Sequence, residues 1–149
     1  MIIQPAQPND HEALTQLTIA SKGHWGYSEK QLNDWHDQLS ITSSYIETNS
    51  VYKLMKDRQI IGYYSYFHKA NDIVKLDNLF VSPQHIGHGY GKKLMADFLT
   101  KLESTIRKVI VDSDPNAEGF YAKVGFIKTG HIETSTPNRY LPVMMLELS

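Results

Sequence analysis

The stretch "LDNLFVSPQHIGHGYGKKLM", Leu76 to Met95, decides how the chain is read. Its first half is apolar and closes on Val-Ser-Pro, as a strand does on leaving a sheet. Gly87, Gly89 and Gly91 follow at alternate positions. Behind them Tyr90, Leu94, Met95, Phe98, Leu99 and Leu102 recur at helical spacing and predict an amphipathic helix from about Gly89 to Glu103. A strand, a glycine loop and a helix in that order can cradle an anion. The first helical turn has N–H groups with no partner inside the helix, and the helix dipole adds positive charge there. Glycine lets the main chain approach closely and accepts positive φ. Lys92 and Lys93 add two cations, so the expected guest is a phosphate or pyrophosphate. The competing reading is an ordinary strand-to-helix turn. The G-x-x-x-x-G-K-S/T spacing is not met, and G-x-G-x-x-G fails because the third glycine comes too early; both count against an ATP or dinucleotide site.

Working outward, Met1 to Pro5 reads as a first strand. Asn9 with Glu12 predicts a capped helix carrying Leu14 and Leu17 on one face and ended by Gly23. Ser28 with Gln31 repeats the capping pattern ahead of Leu32, Trp35 and Leu39, a second helix. Val51 to Lys56, Gln59 to His68 and Ile73 to Val81 read as three antiparallel strands, punctuated by Asp57-Arg58 and by Lys69 to Asp72. Val109 to Val111 is a short buried strand. Pro115 opens a helix that runs through Phe120 and Tyr121 and stops near Gly125. Phe126 to Ile132 and Val143 to Leu148 are two closing strands, joined by a polar linker from Ser135 to Pro142. The order β-α-α-β-β-β-α-β-α-β-β predicts a mixed sheet with helices packed on it, an α/β (α+β) fold in a single domain over residues 1–149.

Composition narrows the function classes. A net charge of -1 and a pI near 6.6 offer no basic field, so no nucleic-acid partner is expected. The absence of cysteine excludes disulfides, thiolate catalysis and zinc–thiolate sites. No histidine pair has helical i, i+4 spacing, and no metal is expected. No apolar run approaches the roughly 20 residues of a membrane helix, and the N-terminus does not read as a signal peptide. These features predict a soluble cytoplasmic protein with no membrane partner.

A second stretch, "DPNAEGFYAKVGF" from Asp114 to Phe126, completes a pattern. Together the two stretches resemble the GCN5-related N-acetyltransferase (GNAT) superfamily. Gln84, Gly87 and Gly89 occupy the family's Q/R-x-x-G-x-G/A signature. Ala117, Phe120, Tyr121, Lys123, Gly125 and Phe126 match its late helix, N-x-x-A-x-x-(L/F)-Y-x-K-x-G-F. The family's leading Asn falls on Asp114, with Asn116 two residues later. Either could meet the cofactor, with Asn116 favoured.

The resemblance implies a seven-stranded mixed sheet with about four helices. Its fourth and fifth strands splay to admit the pantetheine arm between Ile73–Val81 and Val109–Val111. It implies acetyl-CoA as cosubstrate and no metal. Main-chain groups of Ile86, Gly87, His88, Gly89, Tyr90, Gly91 and Lys92 would hold the diphosphate. Leu79, Phe80 and Val81 would pair with the pantetheine amides, one of the first two supplying an N–H to the thioester oxygen. Gln84, Asn116, Phe120 and Lys123 complete the cofactor set. Tyr121 is implied as the acid that protonates the departing thiolate, although a helical Tyr can simply cover a core. Asp77 is the candidate base, with Asp72 or an ordered water as alternatives.

"SKGHWGYSEKQL", Ser21 to Leu32, would overlie the acceptor site, with His24, Trp25 and Tyr27 as its walls or as plugs of the core edge. His68 could face the same space. Arg139 on the late loop would bind a carboxylate or phosphate of the acceptor, or lie solvated. The expected acceptor is the primary amine of a small, amino-acid-like molecule. A protein or peptide N-acetyltransferase and a non-catalytic acyl-CoA-binding module are the alternatives. Relatives are often homodimers through the late strands.

Overall fold

A computed structural model describes residues 1–134 and 136–148; Ser135, the first residue of the predicted linker, lies outside them. The strands are β1 (Ile2–Pro5), β2 (Ser50–Lys56), β3 (Gln59–Ala70), β4 (Ile73–Val81), β5 (Lys108–Asp112), β6 (Ile127–Glu133) and β7 (Tyr140–Glu147). The helices are α1 (His11–His24), α2 (Glu29–Asp34), α3 (His36–Leu39), α4 (Ser43–Thr48), α5 (Tyr90–Lys101) and α6 (Glu118–Val124). The strands form one mixed sheet in the order β1-β2-β3-β4-β5-β7-β6. The chain divides into two compact units, Met1–Tyr66 with Asn78–Lys101, and Phe67–Asp77 with Leu102 onward.

In the first unit β1 and β2 are antiparallel, as are β2 and β3. Residues 61–66 of β3 are buried on both faces, which is why "IGYYSY" shows no polar alternation. One face carries Tyr63 into a core with Leu14, Leu17, Ile41, Ile46 and Val51, against which Phe80 packs. The other face carries Tyr64 and Tyr66 against Phe98 of α5, at ring separations of 5.6 and 5.2 Å. Each such large side chain, once buried, contributes about 1.5–3 kcal/mol of transfer free energy. Thr18 of α1 satisfies its buried hydroxyl on the Leu14 carbonyl (2.7 Å) and shares a hydrogen bond with the Tyr63 hydroxyl (2.5 Å). Gly62 permits a close approach: a Cβ there would lie 3.0 Å from Leu94 Cδ1 and 3.0 Å from the Phe80 carbonyl oxygen.

In the second unit the start of β4 runs parallel to β5, in the register Ile73↔Lys108, Val74↔Val109 and Lys75↔Ile110. That pairing covers only these positions, whereas β4 continues to Val81. The antiparallel partner of β5 is β7, which also pairs with β6. Val74, Val109, Val111, Tyr121, Phe126 and Met144 are buried. Lys75 and Asp112 form an ion pair, and the Asp72 carbonyl accepts the Arg107 N–H at 2.7 Å.

Several local expectations are corrected. The first helix is entered through a 3₁₀ turn, Pro8–Asp10, whose box is formed by Gln7 and Asp10 rather than by Asn9 and Glu12. Proline at the first position sets φ for that turn. Gly23 does not end α1, which runs to His24. Gly26, with φ +88°, takes the terminating role and donates its N–H to the Gly23 carbonyl at 3.1 Å. The predicted second helix is two short ones, interrupted at Trp35. That residue leaves helical ψ while its buried ring packs edge-on against Tyr27 at 5.0 Å. The Ser28–Gln31 capping box is present. The segment α4 was not expected at all.

Candidate active site

The loop from Pro83 to Tyr90 carries the main-chain chemistry. Pro83–His85 is a 3₁₀ turn, and the His85 and Ile86 N–H groups donate back to Ser82 and Pro83 at 2.9 and 3.4 Å. Ile86 is therefore engaged within its own turn. Gly87 and Gly89 then take φ of +89° and +80°, values that L side chains adopt at a cost of about 1–2 kcal/mol. A Cβ at either would meet nothing within 4 Å, so backbone conformation rather than packing requires glycine. The first helix-closing bond of α5 runs from the Lys93 N–H to the Gly89 carbonyl, 3.1 Å. Among the described residues no acceptor takes the N–H groups of Gly87, His88, Gly89, Tyr90, Gly91 or Lys92.

Side chains around this loop are partly committed. Gln84 Oε1 accepts from Ser82 Oγ at 2.6 Å. The Tyr90 hydroxyl accepts from Lys56 Nζ at 3.0 Å, and this bond raises the lysine's pKa. His88 and His85 flank the Tyr90 ring, and His85 Nδ1 is buried without a partner. A run of unclaimed amides and open space at two glycines fit an anionic ligand.

The end of β4 leads into this loop. Val81 accepts from the Ser21 hydroxyl, and the Ser82 N–H donates to the Ile61 carbonyl at 2.8 Å. Phe80 lies between Tyr63 (6.0 Å) and the Lys22 ammonium, 5.7 Å above its ring. Leu79 is half-buried and Asp77 exposed. Asp72 sits in the turn before β4, roughly 23 Å of strand from Leu79, which removes it from that end.

In the second unit Asp114 caps the 3₁₀ turn Pro115–Ala117, accepting from the Asn116 N–H and Nδ2, each at 2.9 Å. The same carboxylate pairs with Arg139 Nη2 at 3.4 Å. Arg139 is thus neither solvated nor poised on its own; it braces the cap. Phe120 is half-buried and Lys123 exposed. Tyr121 is 5% exposed and stacks edge-on with Phe120 and Phe126 at 5.2 and 5.4 Å. Burial, and then the Asp114 charge, push its hydroxyl well above the ordinary tyrosine range, so it stays protonated.

The segment expected at the acceptor side is part helix and part turn. His24 closes α1 and meets Trp25 edge-on at 5.4 Å; Trp25 is 40% exposed. Tyr27 is committed to Trp35. His68 pairs with Glu103 at 3.2 Å on the surface of the second unit. Among the described residues no group of three His, Asp or Glu side chains could hold a metal ion. No described helix is long and apolar enough to cross a membrane.

One polar group escaped the sequence. Tyr45, Ser65 and Asn78 meet where β3 and β4 are neighbours: Ser65 Oγ lies 2.8 Å from the Tyr45 hydroxyl and accepts from Asn78 Nδ2 at 2.9 Å. The signal existed. Asn78 interrupts the apolar row Val74, Leu76, Phe80, and Ser65 interrupts Ile61, Tyr63, Phe67.

With this geometry in place, comparison identifies the family. A model of the acetyltransferase (GNAT) domain matches residues 26–145, and the chain belongs to that family. It is by that membership an acetyl-CoA-dependent acetyltransferase. A GCN5-related N-acetyltransferase from Rhodopseudomonas palustris, also described as an aminotransferase of class II, is similar over 99% of this chain and 95% of its own, with 23% identity and a TM-score of 0.80. PaiA N-acetyltransferase from Thermoplasma acidophilum, solved in complex with coenzyme A, is similar over 99% and 98%, with 19% identity and a TM-score of 0.76. The ribosomal-protein-S18-alanine N-acetyltransferase of Escherichia coli covers 99% and 94%, with 18% identity and a TM-score of 0.73. No curated protein matches the sequence.

Proposed function

We propose that the protein transfers the acetyl group of acetyl-CoA to the primary amine of a small, amino-acid-like molecule by direct attack on the thioester. The observation that carries this reading is the run of unclaimed N–H groups from Gly87 to Lys92 above two positive-φ glycines. These amides suit the diphosphate of coenzyme A, and the Leu79–Val81 main chain suits its pantetheine amides. In the reaction the amine nitrogen forms a bond to the thioester carbon and loses a proton, and the carbon–sulfur bond breaks. An N–H of Leu79 or Phe80 stabilises the oxygen as it gains charge. Asp77, directly or through water, receives the proton from the amine. Tyr121, kept protonated by burial, returns one to the thiolate. His24, Trp25 and Tyr27 border the acceptor, with the rings of His24 and Trp25 exposed. A balanced net charge favours a small acceptor over a polymer of either sign. A single domain acting in the cytoplasm, as a monomer or a homodimer, completes the reading.

The test is thiol release from acetyl-CoA with a panel of amino acids, polyamines and short peptides, alongside calorimetric titration of coenzyme A. Release with free amines and not with peptides is the expected result. Peptide-only turnover replaces the acceptor class, and coenzyme A binding without turnover on any amine leaves a binding module. In the active protein Tyr121→Phe should lower kcat by about 100-fold and leave coenzyme A affinity unchanged.

A further inference from the structure

Asn78 is a neutral polar side chain in an apolar row, immediately before Leu79 on β4. Its amide is held on one side only. Nδ2 donates to Ser65 Oγ at 2.9 Å and lies 3.5 Å from the Tyr45 hydroxyl. Ser65 is fully buried, and its remaining contact is the Tyr45 hydroxyl at 2.8 Å. Each hydroxyl has one donor and two acceptor sites, so Ser65 accepts from Asn78 Nδ2 and shares a second hydrogen bond with the Tyr45 hydroxyl, in which either oxygen can donate. This chain fixes the amide plane and turns Oδ1 away from Ser65. Among the described residues no group donates to Asn78 Oδ1. The structure therefore contains a half-buried carbonyl acceptor, clamped at its back by α4 and β3, one residue from a main chain assigned above to the thioester.

From this geometry we infer that Asn78 orients the attacking amine by accepting one of its N–H bonds at Oδ1. The inference deepens the acetyltransferase reading and rests on it. A neutral primary amine has two N–H bonds: one proton leaves during attack, and the other can be held by Asn78 while the lone pair faces the thioester carbon. A secondary amine has only one N–H, so it cannot both lose a proton and keep this bond. The site thus selects primary amines. Neutrality of the amide matters as well. A carboxylate in the same place would stabilise the ammonium ion, which has no lone pair to attack with.

The experiment compares one accepted primary amine with its N-methyl counterpart in the wild type, Asn78→Ala, Asn78→Asp and Ser65→Ala, with coenzyme A affinity measured for each protein. Asn78→Ala should lower kcat/KM for the primary amine by about tenfold or more, leave the N-methyl amine nearly unchanged and keep coenzyme A affinity within about twofold. Asn78→Asp should move the pH–rate profile for the primary amine to higher pH. Ser65→Ala should reduce the primary-to-N-methyl preference by a smaller factor. An unchanged preference in Asn78→Ala, or an unshifted profile in Asn78→Asp, at intact coenzyme A affinity overturns the inference and leaves the acetyltransferase reading standing. Absence of both coenzyme A binding and thiol release in the wild type overturns the two together.

Discussion

Gly87 and Gly89 do through conformation what most binding residues do through side chains. Their φ values of +89° and +80° bend the main chain where consecutive N–H groups find no acceptor among the described residues. Because a Cβ at either would meet open space, substitution separates conformation from packing. Gly87→Ala should therefore cost only about 1 kcal/mol of stability, yet raise the KM for acetyl-CoA by about tenfold or more; calorimetry and steady-state kinetics on the same sample check the two halves. A raised KM with an unchanged Kd for coenzyme A would contradict it. These glycines were legible in the sequence because spacing and the following helix announce them. Asn78 left a fainter mark, a single polar interruption of an apolar row; only its hydrogen bond to Ser65, distant in sequence, gives it meaning. Arg139 was legible as a charge but not as a brace, since its partner Asp114 is distant in sequence.

At the scale of elements, strands were read well and helices less so. Strands β2 to β4 are bounded by turn residues, and Asp57-Arg58 takes positive φ at both positions (50° and 65°) to join β2 to β3. Such a two-residue turn favours Asn-Gly or Asp-Gly. Arg58→Gly should relieve left-handed strain and stabilise the protein by about 0.5–1 kcal/mol, read as an increase in denaturation midpoint at constant slope. A decrease would mean that the arginine's own contacts outweigh its backbone. Helical periodicity in Leu32, Trp35 and Leu39 survives a break it cannot detect, because the Trp35 N–H donates to the Gln31 carbonyl and the Leu39 N–H to the Trp35 carbonyl, on either side of the kink. The segment "ITSSYIETNS" is poor in strong helix formers and reads as a loop. It still forms α4 because Thr42 caps it, accepting the Tyr45 N–H at 3.0 Å, and Ile46 anchors it in the core.

At the scale of the molecule, the ionisation of buried tyrosines ties stability to pH. Tyr121 is raised by burial and then by Asp114; Tyr64 is raised by burial and then by its 2.6 Å hydrogen bond to Asp97. In the unfolded chain both would ionise near pH 10. The folded state keeps its protons there and the unfolded state releases them, so stability falls as pH rises above that value. On the acid side Glu103 is lowered by a backbone hydrogen bond and then by His68, a contribution lost as pH falls through the carboxylate range. The melting temperature should decline from about pH 10 upward, and less steeply in Tyr121→Phe than in the wild type. Equal slopes in the two proteins would remove Tyr121 from the linkage.

Strand β4, fourth of seven in the sheet, has its parallel ladder with β5 only from Ile73 to Lys75 and runs on to Val81. Interior strands are normally the last to take up deuterium. Among the described residues the β4–β5 ladder stops at Lys75, so label should enter the later part of β4 early, ahead of the strands paired along their length. Saturating acetyl-CoA should close that window, and a mass-resolved peptide spanning Leu76 to Val81 would record the change.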